Sequence, residues 1–198
     1  NTLSVTSDGT TVSNTLAVGD VLTIHDEGDS DANAYTLTNT LLTRGGVTID
    51  YGTIETLNLN AGTGTDTINV TTTAGSVNTN IATTAGGDTV LVTNTGATSN
   101  VTITGDAGAN TITLTTTGGI TTSGGNVTLD SKDALNVNGG ITAGAGSVTL
   151  NANQDGVGAQ GFAQADSTTI SGTGIAITVN TGAGAGTGGA VVSTLTDA

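Results

Sequence analysis

The sequence predicts an all-β chain folded as a right-handed parallel β-helix, a β-solenoid with coils of about 21–22 residues. Three observations carry this. Strand-like segments recur at fixed steps of 22 and then 21 residues. Aliphatic and polar residues alternate inside each segment, which puts successive side chains on opposite faces. Thr is roughly a quarter of the 198 residues and Pro is absent, as suits strands that must donate hydrogen bonds on both sides.

Residues 1–31 fit the period poorly and read as an irregular N-terminal coil or cap, with short strands at 3–5, 16–18 and 21–25. Residues 32–151 carry the regular coils. Asp66-Thr67-Ile68-Asn69-Val70, Asp88-Thr89-Val90-Leu91-Val92 and Asn110-Thr111-Ile112-Thr113-Leu114 align at a step of 22. Ile68, Val90 and Ile112 then form one inward column, Val70, Val92 and Leu114 a second, and Thr67, Thr89 and Thr111 point out. The preceding strands keep the step, Leu57 and Leu59 mapping to Thr79 and Ile81 and then to Val101 and Ile103. Tyr35 and Leu37 fall one step before Leu57 and Leu59, and Val47 and Ile49 fall 21 before Ile68 and Val70. From Gly119 the period is 21, with Gly119-Ile120-Thr121 matching Gly140-Ile141-Thr142 and Val127-Thr128-Leu129 matching Val148-Thr149-Leu150. Residues 152–198 form looser coils, with strands at 168–171 and 175–179. About nine coils stacked at ~4.8 Å make a rod of roughly 40–45 Å. A single coil cannot bury its own apolar face, so stacking supplies the core. The competing architecture is a β-sandwich, which suits short alternating strands but has no need of fixed steps.

Leu, Ile, Val and Phe together are roughly 22% of the chain, close to the boundary of disorder, so the core must be thin. Net charge is −14, with Arg44 and Lys132 the only strong cations. That balance excludes a phosphate-binding surface and hence nucleic acid. No apolar run approaches the ~20 residues that span a bilayer, so no membrane insertion is expected. Without Cys there is no disulfide framework and no thiolate metal site. The chain starts at Asn1 without Met and stops after a strand-like run, which predicts a leader already removed or a piece of a longer protein.

Two acidic stretches are candidate Ca²⁺ sites, and no other cofactor is expected. Asp66, Asp88 and Asn110 share one turn on three coils, and a stack of carboxylates needs a cation to relieve its repulsion. The run 61–68 nearly matches the glycine-aspartate nonapeptide of calcium-binding β-rolls, but its step is 22 and not nine. The plainer reading is Asp and Asn closing turns through their own side chains. In Asp26-Glu27-Gly28-Asp29-Ser30-Asp31, the carboxylates of Asp26, Asp29 and Asp31 offer hard oxygen ligands; the plainer reading is a solvated acidic loop. His25, the only His, reads as a surface residue. Acidic residues on neighbouring coils suit polysaccharide acid–base chemistry in principle, but three aromatics and two strong cations are too few to hold a sugar polymer. Stacked outward Thr suits an ice-binding face, interrupted at Leu91, and equally any soluble strand. Asn69, Asn100 and Asn126 head Asn-x-Thr sequons.

Residues 119–151, with Gly-Ile-Thr, a small-residue turn and Asn/Ser-Val-Thr-Leu, resemble repeats of filamentous-haemagglutinin-type exoproteins. Residues 53–114, with Ile54-Glu55-Thr56-Leu57-Asn58-Leu59-Asn60 and Gly64-Thr65-Asp66-Thr67-Ile68, are similar to repeats of giant bacterial surface proteins. The resemblance implies a β-helix displayed on a bacterial cell surface. It also implies a structural or adhesive role, with glycans or proteins of host or cell surfaces as partners. The expectation is therefore a secreted, non-enzymatic segment of an extracellular fibre, joined end to end to copies of itself or to neighbouring domains. The alternative is an ice- or Ca²⁺-binding module, and a polysaccharide-active enzyme ranks below both.

Overall fold

The computed structural model describes residues 2–6, 12–13, 19–96, 100–106, 110–156, 161–180, 190–191 and 195–197. All the regular structure among them is β. It is a parallel β-solenoid, as the repeat steps require.

One sheet has eight strands, all paired in parallel: Thr2–Thr6, Val21–His25, Thr56–Asn60, Asn78–Ala82, Val101–Thr104, Val127–Asp130, Ser147–Ala152 and Gly174–Val179. The second sheet has thirteen strands. Its central pairings join Thr67–Val70, Thr89–Asn94 and Thr111–Thr121, with Ile68 opposite Val90 and Val90 opposite Ile112. These are the predicted neighbours at a step of 22, and the later step of 21 holds too, with Gly119 opposite Gly140 and Val127 opposite Val148.

The inward columns are the core. Ile68, Val90 and Ile112 are at most 1% exposed, and Leu57, Thr79 and Val101 stack in register with exposures no greater than 2%. The alternation works because each strand turns one face to the opposing sheet and one to solvent, giving burial that repeats every second residue along Thr56–Asn60 and Asn78–Ala82.

Two features depart from the sequence expectation. Tyr35 pairs with Ile68, not with the Leu57 level, and Leu57 stacks on Leu22. Val47 and Ile49 do not precede Ile68 and Val70 in the stack. They lie in an antiparallel meander, Ala34–Leu37, Leu41–Arg44 and Val47–Asp50, inserted in the coil that spans Val21 to Thr56. The reason is local: Gly45 and Gly46 both take positive φ, 54° and 87°, and two such residues close a tight hairpin that a solenoid coil cannot contain. This insertion lengthens one coil, and among the described residues the first sheet has eight levels where uniform coils predict about nine.

Further along, the step from Val101 to Val127 is 26 residues. The ladder shifts register between Val92 and Asn94, and Thr111–Thr121 runs on to pair with both Leu135–Val137 and Gly140–Thr142. From this level the second sheet continues as two separate strand tracks. Strands at Thr2–Thr6 and Val21–His25 belong to the first sheet, and those at Ile170–Gly172 and Gly174–Val179 meet the expectation for the C-terminal part. The strand expected at 16–18 lies outside the described residues.

Candidate functional site

Asp66, Asp88 and Asn110 stand immediately before the aligned strands of the second sheet, and repeat stacking places them in one column. Their exposures are 1%, 1% and 2%. Oδ1 of Asp66 accepts the Asn33 N–H (2.8 Å), Oδ1 of Asp88 accepts the Asp66 N–H (2.8 Å), and Oδ1 of Asn110 accepts the Asp88 N–H (3.1 Å). Each Oδ1 thus ties its coil to the coil before it, and in Asn110 the side chain also closes its own turn, Nδ2 donating to the Asp106 carbonyl. Oδ2 of Asp66 and of Asp88 is buried with no hydrogen-bond partner. Burial pushes both carboxyls above their ordinary value of 3.8; the neighbouring carboxylates, Asp26 for Asp66 and Asp66 for Asp88, add to it, and the accepted backbone N–H groups oppose it. At this depth neither carboxylate can touch a polymer.

The acidic stretch 26–31 is organised by a cation from elsewhere in the chain. Arg44, on the inserted meander, sets its Nε 2.7 Å from Asp26 Oδ2 and bonds Asp29 through Nη2. Asp26 is only 7% exposed and also accepts the Tyr35 O–H at 2.5 Å. Burial, reinforced by Asp26, drives the Tyr35 phenol well above its usual range. Asp29 Oδ1 accepts the Asp31 N–H (2.8 Å), and Asp31 itself is exposed. Arg44 thereby supplies a positive charge to Asp26 and Asp29, two of the three carboxylates offered as oxygen ligands. Among the described residues no three His, Cys, Asp or Glu side chains gather as a metal site. His25 is exposed and pairs with Glu27 at 3.0 Å. Burial would raise the Glu27 carboxyl, but its own backbone N–H, His25 and Asn60 together hold it below its usual range.

The outer face of the first sheet carries a site the sequence reading passed over. Thr56, Asn78, Asn100 and Asn126 follow one column, and Asn80, Thr102 and Thr128 a second, two residues away along each strand. Between them runs a shallow groove of ≈ 400 Å³. Asn80 Nδ2 donates to Asn58 Oδ1 (2.8 Å), Asn100 Nδ2 to Asn78 Oδ1 (2.7 Å), and the Asn126 N–H to Asn100 Oδ1 (2.7 Å). No family model, curated protein or solved structure matches this chain. The site must therefore be read from its own chemistry.

The predicted residues divide accordingly. Asp66, Asp88 and Asn110 come together in one ladder, and Asp26 and Asp29 meet on Arg44, while Asp31 stays outside. Thr67, Thr89 and Thr111 stack as expected, beside Asn69, Leu91 and Thr113. Asn100 and Asn126, noted in the sequence only as sequons, line the groove. The signal for the groove was present, since Asn58 and Asn80, and Asn78 and Asn100, are 22 apart.

Proposed function

We propose that this chain is a structural, non-enzymatic rod segment of an extracellular bacterial surface fibre, continued along its axis by further strand levels. A neighbouring stretch of the same protein or another copy of the chain supplies those levels. One observation supports this most directly. At the Ser147–Ala152 level the inward Val148, Leu150 and Ala152 are fully buried. At the next level, the last of that sheet among the described residues, Gly174–Val179, the inward Ile175, Ile177 and Val179 are only partly buried. Half-covered core residues on an edge strand favour another strand on top, because stacking satisfies the free edge and removes apolar area from water. The acidic sides favour growth along the axis, since like charges resist side-by-side packing.

Sedimentation of the chain over a range of concentrations tests the axial part. The expected result is mass action towards end-to-end species, reduced by Ile177→Asp at a cost in melting temperature smaller than that of Val90→Asp, because Ile177 is only partly buried. One species of about 19 kDa at every concentration would sink it. Surface labelling of the producing cell tests the extracellular placement.

A further inference from the structure

We propose that the groove on the outer face of the first sheet binds a short, uncharged oligosaccharide laid along the solenoid axis. This rests on the extracellular placement above only for access to such a ligand. Every side chain lining the groove is a neutral carboxamide or hydroxyl, on a chain whose net charge is −14. An anion finds no positive charge in the lining and meets general repulsion. A cation finds no carboxylate in the lining, and an apolar ligand no apolar side chain. A polyhydroxylated neutral chain fits, because each sugar hydroxyl both donates and accepts, as these groups do.

The groove is also preordered. Asn78 spends its carbonyl oxygen on Asn100, which leaves its amide N–H groups for a ligand. Asn80 spends its amide on Asn58, which leaves its carbonyl oxygen. Asn126 Oδ1 takes the Ser147 N–H and O–H, each at 3.0 Å, which leaves its amide. One column therefore offers amide donors at Asn78 and Asn126 and the other a carbonyl acceptor at Asn80, beside the hydroxyls of Thr56, Thr102 and Thr128. Side chains already held by rung-to-rung bonds lose little freedom on binding. The columns are ~7 Å apart along each strand and repeat at ~4.8 Å along the solenoid axis, so the open direction is axial. An extended ligand can then meet both columns at successive levels. No aromatic lines the groove, so affinity rests on hydrogen bonds alone and falls in the millimolar range.

The test is a ¹H–¹⁵N titration of the whole chain, following the side-chain amide signals of Asn78, Asn80 and Asn126. The probes are cellotetraose, maltotetraose, chitotetraose and a galactotetraose, with tetragalacturonate as the charged control. The expected result is saturable shifts of these amides with at least one neutral probe and none with the control. Thr102→Val keeps the shape and removes a hydroxyl, and should weaken binding about tenfold with melting unchanged. Absence of shifts with all neutral probes at tens of millimolar overturns the proposal. So does equal binding by Thr102→Val and Asn80→Ala, which places the ligand elsewhere. Ice shaping by the chain without any sugar-induced shift would assign the face to ordered water and overturn it as well. Sedimentation of Thr102→Val separates the two readings: axial association should be unaffected, so either can fail without the other.

Discussion

Asp88 and Asn110 occupy equivalent positions one coil apart and do the same work through Oδ1. Only the oxygen that the ladder does not use distinguishes them, and in Asp88 it is buried without a partner. Asp88→Asn should therefore stabilise the protein at neutral pH by about 1 kcal/mol or more, with Thr83, whose buried hydroxyl faces Asp88, able to accept from the new amide. The pH dependence has a definite sign. The folded carboxyl holds its proton more tightly than the unfolded one, so its contribution is fully present below the unfolded value near 3.8. That contribution is lost as pH rises through the raised folded value. Thermal melts should show the gain from Asp88→Asn at pH 7 and its disappearance near pH 3. A gain that persists undiminished in acid would mean the buried charge is not its cause. The Asp66–Asp88–Asn110 alignment was visible in the sequence at a step of 22. Its bonding was not, because spacing cannot show that each acceptor reaches the coil before it instead of its own turn.

Strands and turns are held to their register by what lies above and below them. Val90 is 1% exposed and Thr89 faces outward on the same strand. Val90→Asp buries an unpaired charge and should cost about 3 kcal/mol or more, while Thr89→Asp should stay within about 1 kcal/mol. Equal melting shifts would show the register to be wrong by one residue. Glycines separate in the same way. A Cβ at Gly146 would lie 2.0 Å from the Gly125 carbonyl oxygen, whereas one at Gly174 meets nothing within 4 Å. Gly146→Ala should force adjacent coils apart and lower the melting temperature steeply. Gly174→Ala should leave it unchanged or slightly higher. The meander at 34–50 is the element the repeat reading misplaced. Its Gly45-Gly46 pair is a hairpin signal, but Val47 and Ile49 also satisfy the coil spacing, and short alternating runs look the same in either setting.

At the scale of the whole molecule, charge and stacking act in different directions. The 16 carboxylates against two strong cations make repulsion between chains long-ranged at low salt and weak above a Debye length of about 8–10 Å. Axial association of the chain should therefore strengthen as salt rises, measured by sedimentation at fixed protein concentration. An association that weakens with salt would point to charge pairs, not strand stacking, as its basis. Insertions and bulges are absorbed between levels without breaking the stack. The coil containing the meander and the 26-residue step at Val101 both return to the ladder in register, because only the strands must match.

Repeat spacing alone was enough for the parallel stack, the inward columns from Ile68 onward and the outward Thr rows, since a period of two within strands and fixed steps between them favour stacked coils over a β-sandwich. It also exposed the Asp66, Asp88 and Asn110 column, because repeats place equal positions on top of one another. Tertiary structure alone decided what those positions do. Arg44 reaches Asp26 and Asp29 from an insertion outside the repeat, and the groove between Asn78 and Asn80 exists only once two outward columns stand side by side. Spacing reports which residues share a column. The bonds made across columns, and the burial that sets the charge of an Asp, depend on atoms far apart in the chain.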